Sequence, residues 1–477
     1  MEKKNTWETY SSKQLKELEK INAQYRDFLD NGKTERECID TIVNTIEKSG
    51  YRELESLIKE GAALKTGDKV YSVWMNKSIA MFQIGRKPMT DGMNILGAHI
   101  DSPRLDVKQN PLYEDGGFAY LDTHYYGGVK KYQWVTIPLA IHGVIVKKDG
   151  TCVEINIGEN EDDPVFFVSD LLIHLAQEQM EKKAAKVIEG EALDIIVGNK
   201  PLLIDKKDKK KDEKEAGKEA VKAGVLDILK ETYDIHEEDF VSAELEIVPA
   251  GKAREAGFDR SMTLAYGQDD RVCAYTSMQA MLDSDVTDRT MCCILVDKEE
   301  IGSVGATGMQ SHFFENAVAE VMNLAGEYSE LNVRRCLAHS CMLSSDVSSA
   351  FDPTYASSFD KKNVAYLGGG MVINKFTGAR GKSGSNDANA EYLAHLRHIF
   401  DKAEVNFQTA ELGKVDLGGG GTIAYILALY GMNVIDSGVA VLNMHAPWEA
   451  TSKADVYEAY RGYKACLLYT SPSPRDV

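Results

Sequence analysis

The chain has 477 residues, which is more than one hydrophobic core usually organises, so we expect two domains. It carries 74 acidic and 55 basic residues, and its net charge of -19 argues against nucleic acid or an anionic membrane as the main partner. No apolar run reaches membrane-spanning length, and the first residues lack the apolar core of a leader peptide. The eight cysteines have neither zinc-finger nor disulfide-scaffold spacing, so we predict a cytoplasmic protein with reduced thiols.

The chain begins with two predicted helices, over 13–29 and 35–46, where apolar residues recur at helical spacing. A buried strand is then predicted over 93–98, and it places His99 at its end with Asp101 two residues later. A carboxylate at that spacing can hold one ring nitrogen and leave the other for a metal ion. A structural histidine held by hydrogen bonds is the alternative, and it is the commoner case for one histidine considered alone.

From residue 104 onwards the pattern changes to short alternating segments rich in tyrosine and glycine, which is typical of antiparallel strands. We predict an inserted, mainly β domain over 104–243. The insert interrupts a discontinuous α/β domain of residues 1–103 and 244–466. Within the insert, a mainly apolar segment carries His174.

Two segments are predicted to lack fixed structure. The lysine- and glutamate-rich tract 206–218 has no apolar periodicity, so we predict a mobile loop there. The last residues, 467–477, contain a serine- and proline-rich run that would break a closing helix. We predict that this tail is disordered or foreign to the natural chain.

Asp269 stands at a predicted loop-to-helix junction and is followed by Asp270 and Arg271. Capping of the helix is the usual role of one acidic residue in such a place. A second acidic residue and an arginine exceed what capping needs. A carboxylate with two usable oxygens can also bridge two cations about 3.5 to 4 Å apart, so both interpretations stay open.

The centre of the chain carries the pair Glu299 and Glu300 shortly after a predicted buried strand over 291–296. Strand ends of this kind are where open α/β sheets place their chemistry. The glycines that follow let the chain turn, so that both carboxylates can serve one site. One carboxylate could hold a cation while the other takes a proton from water, which suits hydrolysis. A solvated acidic turn is the alternative for an isolated pair.

Two further segments end in residue types that bind metals. Asp346 ends an apolar stretch, and His445 lies at the tip of a predicted buried strand. With the segments above, five strand ends or loops supply two histidines and three or four carboxylates, the mixed set expected for zinc, cobalt or manganese. A glycine run at 418–421 lets backbone amides approach a substrate oxygen, although close packing of a strand on a helix explains it equally well.

Five motifs in this order resemble the aspartyl aminopeptidase family, which also includes vacuolar aminopeptidase I. They are Gly97-Ala98-His99-Ile100-Asp101-Ser102-Pro103, Asp269-Asp270-Arg271, Asp297-Lys298-Glu299-Glu300-Ile301-Gly302-Ser303, Ser345-Asp346-Val347 and Met444-His445-Ala446-Pro447. The resemblance extends from about residue 10 to 465. It implies a mixed-sheet, zinc-peptidase-like catalytic α/β domain with an inserted dimerisation domain, and commonly a homo-oligomer that is a tetrahedral dodecamer.

The resemblance also implies two divalent metal ions, most often zinc, with cobalt or manganese as alternatives. Asp269 would bridge the two ions. His99 and Asp346 would complete one metal site, and Glu300 and His445 would complete the other. The implied function is a metallo-aminopeptidase that releases N-terminal amino acids from peptides.

Three more residues receive roles from the resemblance. Glu299 would be the general base, and Asp101 would be the carboxylate that supports His99. His174 resembles a family histidine that reaches the active site of a neighbouring subunit.

The chain departs from the family pattern near one strand. In the aspartyl-selective branch, a lysine that directly follows Val-Ile meets the acidic side chain of the substrate. Here Val372-Ile373 is followed by Asn374, and Lys375 comes one place later. Because a shift of one residue in a strand turns a side chain to the other face, we predict neutral or broad specificity.

Three other functions fit parts of the pattern. A metal-dependent deacylase or carboxypeptidase would use the same metal ligands. A glycosidase could use Glu299 with another carboxylate as an acid and nucleophile pair, but the two histidines would then be unexplained. A non-enzymic assembly protein would carry the ligand set as a relic.

Overall fold

The computed structural model describes residues 5–202 and 219–468, and their contacts divide them into two units. The first unit comprises the described residues up to Ser102, then Ala253–Met444, then Trp448 onwards. The second comprises the described part of Pro103–Lys252 together with His445–Pro447. The predicted α/β fold with an inserted, mainly β domain is confirmed. The dimerisation role of the insert stays a prediction.

The insert ends later than the predicted residue 243. Strand Ala243–Pro249 pairs along its whole length with strand Leu139–Val146 and also with Arg104–Asp115. The strand alternates apolar residues with Glu244 and Glu246 before an apolar pair, a pattern that does not decide between the two sheets. Its hydrogen-bonded neighbours place it in the second unit.

A nine-stranded mixed sheet forms the framework of the first unit. Its strands, in spatial order, are Arg52–Glu53, Lys69–Trp74, Ser78–Gln83, Met291–Val296, Asn94–His99, Cys341–Ser345, Asn433–Gly438, Met371–Asn374 and Phe407–Thr409. The four strands from Met291–Val296 to Asn433–Gly438 are mutually parallel, so their carboxyl ends lie at one edge of the sheet. Strands Met291–Val296 and Asn94–His99 are buried at every residue, as apolar strands covered on both faces must be.

Two hydrophobic cores cover the two faces of this sheet. Alternate residues of one strand enter different cores, because successive side chains of a strand point to opposite faces. Leu295 packs in one core and Ile294 in the other. The helices on the first face are Ser12–Asp30, Glu35–Lys48, Gln268–Leu282, Ala390–Lys402 and Lys453–Leu468, and those on the second are Leu54–Glu60, Phe313–Leu324, Glu330–His339 and Ala424–Ala428.

The two helices predicted near the amino terminus are confirmed as Ser12–Asp30 and Glu35–Lys48. Each begins with a reciprocal capping box, which satisfies backbone donors that the first helical turn leaves free. A smaller sheet of the first unit contains Arg254–Ala256, Met262–Ala265, Glu449–Ser452, Ala440–Leu442 and Ser348–Ser349. It leads the chain into the loop before Asp269.

The second unit is built on a six-stranded antiparallel sheet, as the alternating pattern predicted. Its strands, in spatial order, are Cys152–Ile157, Leu139–Val146, Ala243–Pro249, Arg104–Asp115, Phe118–Tyr126 and Ile195–Gly198. Its helices are Gln177–Met180, Ala184–Val187 and Ala220–Tyr233. The predicted mobile loop at 206–218 lies outside the described residues.

The closing helix Lys453–Leu468 reaches into the segment predicted as a disordered tail. The prediction was therefore wrong for residues 467 and 468, because Leu467 is fully buried in the hydrophobic core and keeps the chain helical to Leu468. The remainder of that tail lies outside the described residues. In 5–202 and 219–468, no helix combines the length and apolar character needed to cross a membrane. All eight cysteines are free thiols.

Candidate metal centre

Residues at the carboxyl edge of the nine-stranded sheet form the candidate site. His99 is the last residue of strand Asn94–His99. Glu299 and Glu300 lie in the short turn that follows strand Met291–Val296, and Asp346 directly follows strand Cys341–Ser345. Because these three strands are parallel neighbours, their ends meet at the same edge.

The side chains at this edge converge on one ring nitrogen of His99. His99 Nε2 is 3.2 Å from Asp269 Oδ1, 3.8 Å from Glu299 Oε2 and 3.8 Å from Asp346 Oδ1. Donor atoms of His99, Asp269 and Asp346 all lie within 4.8 Å of one another, and the same holds for His99, Glu299 and Glu300. One imidazole among several carboxylates at such separations is a donor set that zinc, cobalt or manganese accepts.

Asp101 fixes both the histidine ring and the acidic turn. His99 Nδ1 lies 3.0 Å from the Asp101 carbonyl oxygen and 3.2 Å from its Oδ1, so the ring presents Nε2 to the other carboxylates. Oδ1 of Asp101 also accepts the backbone N–H of Glu299 at 3.1 Å, and its Oδ2 accepts that of Glu300 at 3.1 Å. The predicted contact with His99 is present. The two bonds to the acidic turn were not predicted, because residue types do not reveal which loops meet.

The buried acidic groups of the site favour the binding of positive charge. Burial, assisted by the charge of Asp270, raises the pKa of Asp346 well above its ordinary value, and burial does the same for the pKa of Asp270. Burial opposes protonation of His99, yet hydrogen bonds to Asp101 and Asp269 raise its pKa well above the usual range. Carboxylates in such a place are unfavourable unless charge compensates them, and divalent cations would provide it.

Further buried residues hold the loops of the site together. The guanidinium of Arg271 is almost fully buried; its Nε donates to the Ile100 carbonyl at 3.1 Å and its Nη2 to the Lys33 carbonyl at 3.0 Å. Gly267 has a φ of +69°, and a Cβ there would lie 1.9 Å from Arg271 Nη1, so glycine is favoured at this position. The sequence placed Arg271 beside Asp269, but it gave no sign that the arginine would bind two distant carbonyls.

The backbone of Asp269 is held independently of its carboxylate. Ser102 Oγ donates to the Asp269 carbonyl at 2.6 Å, and the Asp269 N–H donates to Glu449 Oε2 at 3.0 Å. Glu449 is buried and lies far away in sequence, and sequence reasoning missed its role. We therefore expect the loop to keep its place when the Asp269 side chain is changed.

We predict that Arg271→Lys weakens zinc binding about 10- to 100-fold, the range seen when outer contacts of a metal site are lost. A lysine ammonium cannot reproduce the planar fork that serves the carbonyls of Ile100 and Lys33. Competition with a chromogenic chelator measures the affinity. Arg335→Lys on the exposed face of helix Glu330–His339 is the matched control, and unchanged affinity in the Arg271 variant would refute the role.

The two remaining predicted site histidines belong to the second unit. His445 Nδ1 lies 2.9 Å from the Gly128 carbonyl oxygen. His174 is exposed on the short turn Ile173–Leu175. Their roles as metal ligand and as active-site residue of a neighbouring subunit stay predictions.

Comparison with known proteins identifies the family. A family model described as "Aminopeptidase I zinc metalloprotease (M18)" matches residues 28–466. The chain belongs to the M18 family of aminopeptidases. An M18 relative from Clostridium acetobutylicum, named "Probable M18 family aminopeptidase 1", is 63% identical over 466 residues that cover 98% of each chain.

Two solved M18 structures share the fold over nearly the whole chain. The crystal structure of aminopeptidase I from Clostridium acetobutylicum is 60% identical, covers 98% of this chain and 100% of its own, and has a TM-score of 0.89. The M18 aminopeptidase from Thermotoga maritima is 43% identical, with coverages of 98% and 99% and a TM-score of 0.91. The resemblance noted in the sequence is thus confirmed, as is the aminopeptidase class, and the M18 family is one of zinc metalloproteases.

Proposed function

We propose that this M18 aminopeptidase releases N-terminal residues from peptides at a pair of divalent cations, with Glu299 as the general base. The observation that carries the proposal is the crowding of carboxylates around His99 Nε2, where Asp269, Glu299 and Asp346 all lie within 3.8 Å. With His99 itself and with Glu300, whose donor atom lies within 4.8 Å of those of His99 and Glu299, they make five possible donors, more than the three or four protein ligands that one zinc ion takes. Zinc is the expected metal, and cobalt or manganese suits the same donors.

The ligand assignment follows from position and tautomer. Asp269 is the nearest of the carboxylates to His99 Nε2, and we assign it as the bridge between the cations. His99 and Asp346 would hold one ion, and Glu300 and His445 the other. For His445, an Nδ1–H that donates to the Gly128 carbonyl leaves the lone pair on Nε2 for a metal ion.

In the proposed reaction, the cations and Glu299 have different roles. When bound, the two cations supply Lewis acidity that polarises the scissile carbonyl. Glu299 takes a proton from the attacking water and later gives it to the nitrogen of the leaving amine. Its side chain is 15% exposed, so water and substrate can reach it, while Asp101 holds its backbone N–H. Asp101 is therefore a positioning residue in this scheme.

An amino-acid amide panel tests this function and its specificity together. Asn374 is buried with its Nδ2 3.5 Å from Ser348 Oγ, whereas Lys375 is about half exposed and lies 3.6 Å from Asp387 Oδ1. Since the lysine charge faces Asp387, we expect neutral residues to be cleaved at least as fast as aspartate or glutamate. EDTA should abolish hydrolysis, and zinc, cobalt or manganese should restore it.

Three outcomes of that panel, run with free and N-acetylated amides, would each contradict one part of the proposal. Hydrolysis that survives removal of metal would exclude the metal-dependent reaction. Strong preference for acidic residues would refute the expected specificity without affecting the mechanism. Cleavage of N-acetylated amides in preference to free amines would favour the deacylase alternative.

We also propose that the protein is a homo-oligomer, a tetrahedral dodecamer, with the insert as its dimerisation domain and His174 completing the active site of a neighbouring subunit. The residues beside His174, namely Leu172, Ile173 and Leu175, are exposed apolar side chains, which suits a surface covered by another subunit. A structure titled as a dodecamer of S. cerevisiae mApe1 has the same fold, at 20% identity, coverages of 93% and 95%, and a TM-score of 0.73. A cytoplasmic location stays a prediction.

Subunit mixing tests the role of His174. We expect His174→Ala and Glu299→Gln homo-oligomers each to be nearly inactive. After dissociation and mixing, some sites would pair an intact Glu299 with an intact His174 from the neighbour, so activity should return. Mixed oligomers that stay at the activity of their parents would exclude a contribution between subunits.

A further inference from the structure

We propose that a cavity in the first unit, separate from the candidate metal ligands, is a binding site for an oxyanion, either a carboxylate or a phosphate group. The cavity lies between the loops 376–382 and 411–418 and has a volume of about 240 Å³. It includes part of the glycine run whose purpose the sequence left open. The inference does not depend on the two-cation mechanism.

The lining of the cavity is cationic in a strongly acidic chain. Arg380, Lys382 and Lys414 line it against one carboxylate, Glu411, whereas the whole chain has a net charge of -19. A concave surface lined by one sign of charge concentrates ligands of the opposite sign. A guanidinium beside ammonium groups is suited to a carboxylate or phosphate, because arginine can bind two oxygens at once.

Two of these cations have no carboxylate partner within the described part of the chain. Neither Arg380 nor Lys414 has a carboxylate oxygen within 4.0 Å. Lys382 differs, because its Nζ lies 2.9 Å from Asp387 Oδ2 and 4.0 Å from the centre of the Phe376 ring. These contacts fix the Lys382 ammonium, while the charges of the other two remain available to a ligand.

A buried hydroxyl at the wall of the cavity points to the same kind of ligand. Thr377 lines the cavity and is only 8% exposed. Its Oγ1 has no hydrogen-bond partner among the described residues. Buried hydroxyls are almost always paired, and an oxygen of a bound anion would accept the Thr377 O–H.

The backbone around the cavity is packed so closely that the site is formed in advance. The Gly420 N–H donates to the Thr377 carbonyl at 3.0 Å. A Cβ at Gly419 would lie 2.4 Å from Ala379 Cα, and one at Gly418 would lie 1.7 Å from the Leu412 carbonyl oxygen. Close packing between the two loops therefore explains Gly419, and close packing within the second loop explains Gly418. A wall that does not have to order itself on binding lowers the entropic cost of holding a ligand.

Hydrogen bonds connect the loop 411–418 to the turn that carries Glu299. The loop continues into helix Ala424–Ala428, where the Tyr425 hydroxyl accepts a hydrogen bond from Gln310 Nε2 at 3.1 Å. Gln310 Nε2 also donates to the carbonyl of Gly302, the residue that ends the turn Glu299–Ile301, at 3.1 Å. These contacts link the cavity to the candidate metal centre, so a carboxylate of a peptide substrate is one source of the oxyanion. A free inorganic anion is the other.

Calorimetric titration of the metal-loaded enzyme tests the inference with two probes. One is inorganic phosphate, and the other is an N-acetylated acidic dipeptide amide, which has no free amine for an aminopeptidase to act on. We expect saturable binding of at least one probe to the wild type. The double variant Arg380→Met, Lys414→Met should weaken that binding at least tenfold, and Arg335→Met on an exposed helix face should leave it unchanged.

The variants also distinguish anion binding in the cavity from anion binding by the metal ions. Anion held by the metal ions would persist in the double variant, so only the difference from the wild type reports on the cavity. Thr377→Val, which keeps the shape and removes the hydroxyl, should weaken binding as well. Binding of phosphate alone would identify a free anion, and binding of the acidic dipeptide but not its glutamine analogue would identify a peptide carboxylate. No saturable binding of either probe, or equal binding by the double variant, would overturn the proposal.

Discussion

Glu299→Gln is expected to lower kcat by about 10²- to 10⁴-fold, the usual contribution of general acid–base catalysis, while the bound metal stays at its wild-type level. The amide keeps the size of the side chain and cannot accept the proton from water. The backbone N–H of residue 299 still donates to Asp101 Oδ1, so the turn should keep its place. Steady-state hydrolysis of an amino-acid amide gives the rate, and elemental analysis gives the metal content.

Metal content separates the two roles open to Glu299. Its Oε2 lies 3.8 Å from His99 Nε2, close enough for a metal ligand as well as for a base. Loss of metal together with activity would make Glu299 a ligand, and retained activity would remove it as the base. Glu391→Gln, at an exposed position early in helix Ala390–Lys402, is the control for this change of charge and should match the wild type.

Asp269→Asn is expected to weaken binding of both metal ions by at least about 10- to 100-fold, since even outer contacts of a metal site are worth that much. The amide has one neutral oxygen acceptor in place of two charged ones, and it cannot bridge two cations equally well. Ser102 and Glu449 hold the backbone of residue 269, so the substitution changes the side chain without releasing the loop. Chelator competition measures the affinity.

A matched aspartate gives the control for that prediction. Asp401→Asn, exposed near the end of helix Ala390–Lys402, should leave metal binding unchanged. Loading of the Asp269 variant with two ions at wild-type affinity would count against the bridge. Weaker binding of only one of the two ions would make Asp269 a ligand of a single metal site.

The sequence predicted the convergence of the site because the relevant residues follow buried strands. Apolar runs before His99 and Glu299 predicted buried strands, and open α/β sheets place their chemistry at the ends of such strands. The strands Asn94–His99 and Met291–Val296 are indeed hydrogen-bonded neighbours, with His99 beside Val296. Local patterns thus carried enough information to bring distant residues into one hypothesis.

The supporting contacts could not be predicted in the same way, because each joins a polar group to a backbone far away in sequence. Asp101 binds the backbone of the Glu299 turn, and Arg271 binds the Lys33 carbonyl. The later end of the insert has a similar cause. The residues of strand Ala243–Pro249 would suit either sheet, and only its pairing with Leu139–Val146 and Arg104–Asp115 decides between them.

The most direct test of the central claim is a zinc titration of the metal-free enzyme. EDTA-stripped protein would receive increasing zinc while bound metal and amide hydrolysis are measured in the same samples. Two cations held by the residues around His99 and Asp269 predict that full activity returns only at two bound zinc ions per chain. Full activity at one bound ion, with no second ion taken up, would contradict the two-cation site.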